Sequence, residues 1–457
     1  MIAEIRGVSV NQVDAAIDAA RRAFDSGCWS GLSREERAAT MRRYAAALAA
    51  RADRIRELAM LEAGCPVSSS VMFAQVQTPI RHAAEIVDLY LTLPEIEDNP
   101  LPLHERMGMM GTPMQSIRRY QPHGVISAIA AYNVPLFTAL WKVIPALITG
   151  NTVVLRPNPL TPISVMVFAE AAEEAGLPAG VLNVVVEGGL AGGQMMSSDP
   201  RIDMVSFTGS CAVGVKIAEQ AAPTLKPLVL ELGGKSAQIF LPDSVDKAPA
   251  MARSVCVSHA GQGCALGTRL FVPEEAKAEV LEKAAALLRA IKIGPASDPA
   301  TETGPVINAT AVERCERIVA QAVAAGGKVV VGGKRPADID RGFYFEPTLL
   351  DLPDNANPAA QEEIFGPVVA VIGYRDLDHA VAMANDSKFG LSGWVYGQDK
   401  RAALKVGQGI RSGTVNVNNG VTSAWGSMGG IKLSGQGRER GPEGLRAFQQ
   451  MSVLNFS

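Results

Sequence analysis

Cys264 is the cysteine whose surroundings best suit chemistry. It lies in the stretch 258-SHAGQGCALG-267, just before an apolar run typical of a strand. A thiol attacks as its thiolate, and only where a substrate can reach it. Flanking glycines let a substrate approach the backbone and leave amide N–H groups free to point at it. A cysteine taken alone is more often a small buried apolar residue, which is our prediction for Cys28, Cys65, Cys256 and Cys315.

Glu231 is a candidate general base. In 229-VLELGGKS-236 it stands between two leucines, in a segment that otherwise resembles a buried strand. An unpaired carboxylate in such a place costs several kcal/mol, or its pKa rises toward the range of a general base. A salt-bridged structural glutamate would fit the same pattern.

Two turns after predicted strands offer hydrogen-bond donors. Asn133, in 130-AAYNVP-135, could donate its side-chain amide to a developing oxyanion, although an ordinary turn asparagine fits equally well. In 206-SFTGSCAVG-214 a strand ends at Gly209 and Ser210 and leads into a helix. The N-terminus of such a helix is a natural seat for a pyrophosphate, though one glycine turn is a weak signal.

Several common motifs are absent. The glycines of 435–441 have the wrong spacing for a dinucleotide fingerprint, and 233-GGKS-236 lacks the first glycine of a phosphate-binding loop. The five histidines show no ligand-like spacing, so we expect no metal site. A net charge of −3 gives no basic face, so we expect no nucleic-acid partner.

Composition describes a globular protein of several domains. The 457 residues are 47 % hydrophobic and 19 % charged. Six cysteines without a C-x-x-C pair, and an N-terminus unlike a signal peptide, predict a cytoplasmic location. The apolar segment 124–149 is long enough to cross a bilayer. Asn133, Pro135 and Pro145 divide it into a strand, a turn and a helix, so we expect no membrane span.

The elements that must position these residues change character along the chain. The first hundred residues are predicted to be helical, with a capping box at Ser33 that opens one helix reaching about Ala63. Strands and helices then alternate, which predicts an α/β fold of doubly wound parallel sheets. Strands are predicted at 152–156, 181–186, 203–207, 228–232, 236–241, 268–272, 328–333, 367–372 and 451–456.

Taken in order, the motifs resemble the NAD(P)-dependent aldehyde dehydrogenase superfamily over nearly the whole chain. The segments that resemble the family are PHGVISAIAAYNVP, PALITGNTVVLRPNPLTP, SFTGS, LELGGKS, GQGC, EEIFGP and GGIKLSGQGRERGPEGL. The resemblance implies two Rossmann-like domains and a small β arm that joins subunits into homodimers or homotetramers. It implies a cofactor-binding domain at 1–103 and 121–231, a catalytic domain at 232–432, and an arm at 104–120 and 433–457.

The resemblance also assigns roles at the reacting centre. Cys264 would be the nucleophile and Glu231 the general base that activates water. The Asn133 side chain and the Cys264 N–H would form the oxyanion hole, and Lys142 would lie near the same pocket. An aldehyde would be oxidised to an acid through a thiohemiacetal and a thioester.

The same resemblance implies a set of residues around the cofactor, which would be NAD, with NADP as the alternative. Gly209 and Ser210 would lie beside the pyrophosphate, and Glu363 would hold the nicotinamide ribose with Phe365 packed beside it. The full set is Arg156, Asn158, Gly209, Ser210, Gly214, Leu232, Glu363 and Phe365.

One departure from the family pattern affects cofactor choice. Pro159 stands where the family usually has the glutamate that accepts the adenosine 2′-OH, and Arg156 replaces the usual lysine. Without that carboxylate we expect NAD to be used and NADP tolerated, with Arg156 able to pair with a 2′-phosphate.

Three alternatives stay open at this point. A CoA-acylating relative would pass the thioester to CoA, although Glu231 argues against it. A catalytically silent NAD-binding relative would keep only the fold. A papain-like pair of Cys264 and His259 is the third, although five residues would set them on different sides of a helix. The aldehyde itself is not identified by the sequence.

Overall fold

The structure, a computed structural model, describes residues 4–108, 111–418, 420 and 423–457. Its helices are Val10–Asp25 (α1), Arg34–Ala50 (α2), Ala52–Ala63 (α3), Ser70–Gln75 (α4), Gln77–Thr92 (α5), Pro135–Ile148 (α6), Ile163–Ala175 (α7), Ala191–Ser198 (α8), Cys211–Ala221 (α9), Ala248–Val257 (α10), Lys277–Arg289 (α11), Ala309–Ala324 (α12), Pro358–Gln361 (α13), Leu377–Asn385 (α14), Lys400–Gly409 (α15) and Gly441–Ala447 (α16).

The strands are short and fall into three sheets. They are Ile96–Asp98 (β1), Gln115–Pro122 (β2), Val125–Ile129 (β3), Thr152–Arg156 (β4), Leu182–Val184 (β5), Met204–Thr208 (β6), Leu228–Glu231 (β7), Ala237–Phe240 (β8), Arg269–Pro273 (β9), Lys328–Val331 (β10), Thr348–Leu352 (β11), Val368–Tyr374 (β12), Ser392–Tyr396 (β13), Thr414–Val417 (β14), Gly435–Gln436 (β15) and Gln449–Phe456 (β16).

The first large sheet has the order β15-β7-β6-β3-β4-β5 and is parallel except for β15. The chain runs outward from β3 through β4 to β5, then returns to β6 and β7 on the other side of β3. Strands β3 and β4 are fully buried, because helices cover the sheet. This reversal between β3 and β6 opens a crevice at the carboxyl ends of the strands.

The second large sheet has the order β10-β11-β12-β9-β8-β13-β14, with only its edge strand β10 antiparallel. The predicted α/β class with two doubly wound sheets is confirmed. A third sheet joins β1, β2 and β16 in antiparallel order, and β16 pairs with β2 along its whole length.

The helix predicted from Ser33 to Ala63 is wrong in one respect, because it breaks at Arg51. That residue leaves helical geometry, with φ −102° and ψ 9°, so α2 ends at Ala50 and α3 begins at Ala52. The Arg51 guanidinium pairs with Glu174 of α7 at 2.7 Å, a tertiary contact that the uninterrupted Ala/Arg pattern does not reveal.

The apolar segment 124–149 forms β3, a turn and α6, and α6 begins at Pro135; Pro145 divides nothing, because it lies inside α6. Among the residues that the structure describes, no helix combines the length and apolar character needed to cross a membrane.

Candidate active site

A cavity of about 420 Å³ lies over the carboxyl ends of β3, β4, β6 and β7. One wall comes from the first large sheet and includes Arg156, Gly209 and Glu231. The opposite wall comes from the second sheet and the loops around it, and includes Cys264 and Glu363. The cavity therefore lies between the two sheets, at the strand-order reversal where α/β proteins bind ligands.

The loop that carries Cys264 is held by close backbone contacts. Helix α10 ends at Val257, and the next turn contains positive φ angles at His259, Ala260 and Gly261. A Cβ on Gly261 would lie 2.0 Å from the carbonyl oxygen of Gly366. A Cβ on Gly234 would lie 2.3 Å from the carbonyl oxygen of Cys264. Glycines are thus required here for close packing, in addition to the substrate access that the sequence suggested.

The Cys264 side chain lines the cavity, and the residue as a whole is partly exposed. Its sulfur nevertheless lies deep, and burial together with the carboxylates of Glu363 and Glu231 raises the pKa of the thiol to about 12. The backbone amides of Ala265 and of Cys264 itself lower it. Without a bound cation, the thiol is protonated at neutral pH.

Glu231, the last residue of β7, is 6 % exposed and faces the same cavity. Its Oε1 has no hydrogen-bond partner among the described residues. Burial and then the nearby carboxylate of Glu439 raise the pKa of Glu231 to about 8, against the charges of Lys142 and Arg440. A carboxyl group with such a pKa can take up a proton near neutral pH.

Asn133 follows β3 and lies at the cavity with its side chain buried. The amide Nδ2 donates to the carbonyl oxygen of Gln262 at 2.9 Å, which fixes the side chain beside the Cys264 loop. An amide nitrogen carries two hydrogens, so the second remains for another acceptor.

Lys142 lies on α6, is fully buried and does not line the cavity. Its ammonium group pairs with the carboxylate of Glu439, immediately before α16. Its charge also acts directly on Glu231, whose pKa it lowers. Sequence analysis missed Glu439, and the only available signal was a carboxylate inside the glycine-rich stretch 435–441.

The residues assigned to the cofactor divide into those that line the cavity and one that does not. Gly209 and Ser210 line it at the start of α9, where the Ser210 side chain caps the helix. Leu232 also lines it. Gly214 does not; it lies behind Leu232, because a Cβ there would be 2.6 Å from Leu232 Cδ2.

Glu363 and Phe365 lie on the opposite wall. Glu363 Oε1 accepts a hydrogen bond from the Gly234 N–H at 3.0 Å, and burial raises the pKa of this carboxyl. Phe365 adopts a positive φ of 53° and its ring meets that of Tyr132 edge-on at 5.9 Å. The nearby Arg314 donates from Nε to the carbonyl oxygen of Ile364 at 2.7 Å.

Arg156 and Asn158 line the end of the cavity beyond β4. Arg156 is already engaged: its Nε donates to Glu187 Oε2 at 3.1 Å and another nitrogen donates to the carbonyl oxygen of Gly189 at 2.6 Å. Asn158 Oδ1 accepts from the Leu160 N–H at 3.0 Å. Glu187 was missed by sequence analysis, because nothing local distinguishes it from a surface glutamate.

The alternative pairing of Cys264 with His259 has no support. His259 is buried, does not line the cavity, and neither ring nitrogen has a hydrogen-bond partner among the described residues. Burial lowers the pKa of its ring to about 4. The helix expected to carry both residues was wrong, since α10 ends at Val257. The described part of the chain holds no group of three His, Cys, Asp or Glu side chains arranged for a metal.

Comparison with known proteins gives consistent matches over nearly the whole chain. The model of the aldehyde dehydrogenase family matches residues 1–454. The chain is 37 % identical to geranial dehydrogenase of Castellaniella defragrans, over 96 % of this chain and 89 % of that protein. It is 34 % identical to betaine aldehyde dehydrogenase of Bacillus subtilis, over 95 % and 88 %.

A solved structure agrees with this match. The aldehyde dehydrogenase of Mycobacterium tuberculosis, crystallised with NAD+, superposes with a TM-score of 0.92 at 39 % identity, over 98 % of this chain and 91 % of that one. Family model, relatives and architecture agree from end to end, and the chain belongs to the aldehyde dehydrogenase family.

Proposed function

We propose that this protein oxidises an aldehyde to a carboxylic acid with NAD+, using Cys264 as nucleophile and Glu231 as the base that activates water. The observation that carries the proposal is the shared cavity of Cys264, Glu231 and Asn133. A thiol, a carboxyl group with a pKa of about 8 and an amide donor are the three groups that the chemistry needs.

The cavity suits a dinucleotide. It opens at the strand-order reversal, and the capped N-terminus of α9 presents Gly209 and Ser210 to it. The buried Glu363 carboxylate on the opposite wall can accept hydrogen bonds from a ribose. NAD+, which is bound in crystals of the relatives, would supply the oxidant by accepting a hydride from the carbon attached to sulfur.

The first half of the reaction joins the aldehyde to the enzyme. Cys264 first loses its thiol proton to solvent. The thiolate then adds to the carbonyl carbon, so that a C–S bond forms and the carbonyl electrons move onto oxygen. The free Asn133 N–H and the Cys264 backbone N–H would stabilise that oxyanion. Loss of the hydride to the oxidant then leaves a thioester on Cys264.

The second half releases the acid. Glu231 removes a proton from water, the resulting hydroxide adds to the thioester carbon, and the C–S bond breaks to return the thiolate. Lys142 and Glu439 would act as positioning residues, since their charges adjust the pKa of Glu231 without reaching the cavity.

Three further predictions are retained as proposals. The division into cofactor, catalytic and arm segments is supported by the three sheets, except that β1 joins the third sheet from the cofactor segment and β15 joins the first large sheet from the arm segment. A homodimer or homotetramer is supported by the exposed Met451, Val453 and Leu454 of β16. A cytoplasmic location is supported by the six cysteines, none of which forms a disulfide.

The test is NADH formation from a panel of aliphatic, aromatic and semialdehyde substrates. Cys264→Ala should abolish oxidation while leaving NAD+ binding intact. Glu231→Gln should still give a burst of NADH in the first turnover but lose the steady-state rate. Equal loss of both phases would exclude Glu231 as the deacylating base, and rescue of turnover by CoA would favour the CoA-acylating alternative.

A further inference from the structure

Arg440 is a buried cation that the proposed reaction does not use. The residue is 9 % exposed and adopts a positive φ of 62° between Glu439 and the start of α16. Its guanidinium lies over two rings of α6, with the carbon Cζ 4.6 Å from the centroid of Phe137 and 5.1 Å from that of Trp141. Aromatic faces attract a cation but accept none of its hydrogen bonds in the way an oxygen does.

The Arg440 side chain donates no hydrogen bond to any residue that the structure describes, whereas the buried Arg269 donates from all three of its nitrogens. Arg269 has four acceptors, among them Asn355 Oδ1 at 2.8 Å. The half-buried Arg438 donates to the carbonyl oxygens of Gly413 and Gly429. Buried guanidinium groups are normally bound by protein acceptors in this way, so Arg440 keeps its donors available to water or to a ligand.

Arg440 lies over the first half of α6, the helix that begins two residues after Asn133. The cavity assigned to the dinucleotide is not lined by Arg440, Phe137 or Trp141. The reacting groups nevertheless interact with its charge, because burial lowers the pKa of Arg440 while Glu439, Glu231 and the thiolate form of Cys264 raise it. The guanidinium therefore lies within electrostatic reach of the thiol that an aldehyde would join.

The local charge is positive. Lys142, Arg438, Arg440 and Glu439 all act by charge on Glu231, which leaves an excess of one cation when both carboxyl groups are ionised and Cys264 is protonated. His82 meets Trp141 edge-on at 5.2 Å and adds no positive charge, since burial and then Arg440 lower the pKa of its ring to about 4. A substrate anion would neutralise the excess in that state.

We propose that Arg440 binds an anionic group at the far end of the aldehyde, so that the preferred substrates are ω-oxo carboxylates. This inference rests on the proposed function and specifies its substrate class. Aldehydes that carry a phosphate present the same chemistry, whereas quaternary-ammonium aldehydes would be repelled. The aromatic walls contributed by Phe137 and Trp141 would contact the carbon chain between the two ends.

The test compares kcat/KM for ω-oxo carboxylates, aldehyde phosphates, quaternary-ammonium aldehydes and uncharged alkanals of matched length. The protein should prefer an anionic aldehyde, and comparing ω-oxo carboxylates with aldehyde phosphates identifies which anionic group it prefers. Arg440→Met should lower the ratio of anionic to alkanal kcat/KM by roughly 10- to 100-fold, mainly through KM, because a charge-assisted hydrogen bond is lost. Arg440→Lys should retain part of the ratio.

A matched control is Arg21→Met, which removes a cation lying 4.9 Å from the Phe24 ring on α1 and should leave the ratio unchanged. Equal use of anionic and uncharged aldehydes by the unaltered protein would overturn the proposal. So would an Arg440→Met variant that loses both classes in equal proportion.

A second readout does not need turnover. Glutarate, which mimics an acid product, should slow alkylation of Cys264 by iodoacetamide in the unaltered protein but not in Arg440→Met, and the uncharged pentanamide should protect neither. Protection without NADH formation from any aldehyde would mean that the anion site is real and the proposed function wrong. Identical alkylation with and without glutarate would count against the anion site itself.

Discussion

Arg156 and Glu187 form a buried ion pair beyond the end of β4, with Arg156 Nε 3.1 Å from Glu187 Oε2. The same carboxylate accepts hydrogen bonds from the Gly192 and Gly193 N–H groups at the start of α8. These donors hold the pKa of Glu187 below its usual range despite burial. Glu187 therefore places a fixed negative charge near the end of the cavity. At that end, this chain has Pro159 where the family usually has a glutamate.

The first prediction concerns cofactor choice. Glu187→Gln removes that negative charge and releases Arg156, so the ratio of kcat/KM for NADP+ to that for NAD+ should rise by roughly tenfold, the value of about one charge-assisted hydrogen bond. Arg156→Met should lower the ratio. Steady-state kinetics with both cofactors measure it, and a ratio that moves in the same direction in both variants would contradict the assignment.

The second prediction concerns the pH dependence of deacylation. The pKa of Glu231 is about 8, so its basic form, and the steady-state rate, should increase as pH rises through that value. Glu439→Gln removes a carboxylate that raises this pKa and should move the midpoint to lower pH. Lys142→Met removes a cation that lowers it and should move the midpoint to higher pH.

The opposite directions of the two midpoint shifts distinguish an effect of charge on Glu231 from a loss of stability. Breaking this buried pair is expected to cost about 3–5 kcal/mol of stability in either variant. Unfolding alone would lower the rate without moving the midpoint. The measurement is kcat against pH for the two variants and the unaltered protein, and midpoints that shift in the same direction would be inconsistent with the charge argument.

The sequence predicted the positions of the strands that end at the active site, but it did not predict the contacts between their residues. Strand 152–156 was placed without error, and the strand that ends in Glu231 was placed within one residue. Such segments are short apolar runs bounded by glycine, proline or polar residues, and burial on both faces makes them continuous. The resemblance, and not the spacing, indicated that Glu231 and Cys264 share a site.

The features that the sequence did not reveal are interactions between charged residues that are distant along the chain. Glu439 and Arg440 are far along the chain from Lys142 and Trp141, and their pairing appears only when the segment before α16 packs on α6. Glu187 likewise gains its meaning from Arg156, which comes from a different strand. Pair interactions between distant residues leave no periodic pattern in a single sequence.

The third prediction concerns the reactivity of Cys264 before cofactor binds. Burial, Glu363 and Glu231 raise the pKa of the thiol to about 12, so alkylation by iodoacetamide should be slow at neutral pH and increase as pH rises. Glu363→Gln removes one carboxylate and should accelerate alkylation at a given pH, by up to about tenfold for each unit by which the pKa falls. NAD+ should also accelerate it, because its nicotinamide ring is cationic.

Mass spectrometry of the alkylated peptide identifies the reacting thiol. Cys28, for which the prediction of burial was wrong because it is exposed, serves as an internal control within each sample. The ratio of Cys264 modification to Cys28 modification corrects for differences in reagent concentration and for the general effect of pH on thiol alkylation. Rapid alkylation of Cys264 at neutral pH in the cofactor-free protein would contradict the prediction.

The last prediction separates backbone strain from close packing in the Cys264 loop. Gly261 and Gly176 have similar φ angles of 71° and 75°, so an alanine at either site should cost about 1–2 kcal/mol for the left-handed backbone. Only at Gly261 would the new Cβ meet backbone, 2.0 Å from the Gly366 carbonyl oxygen, whereas nothing lies within 4 Å at Gly176. Gly261→Ala should therefore lose at least about 2 kcal/mol more in urea unfolding and also displace Cys264, which lowers NADH formation. Gly176→Ala should keep its activity, and equal losses of stability in the two variants would show that the contact with Gly366 does not constrain the loop.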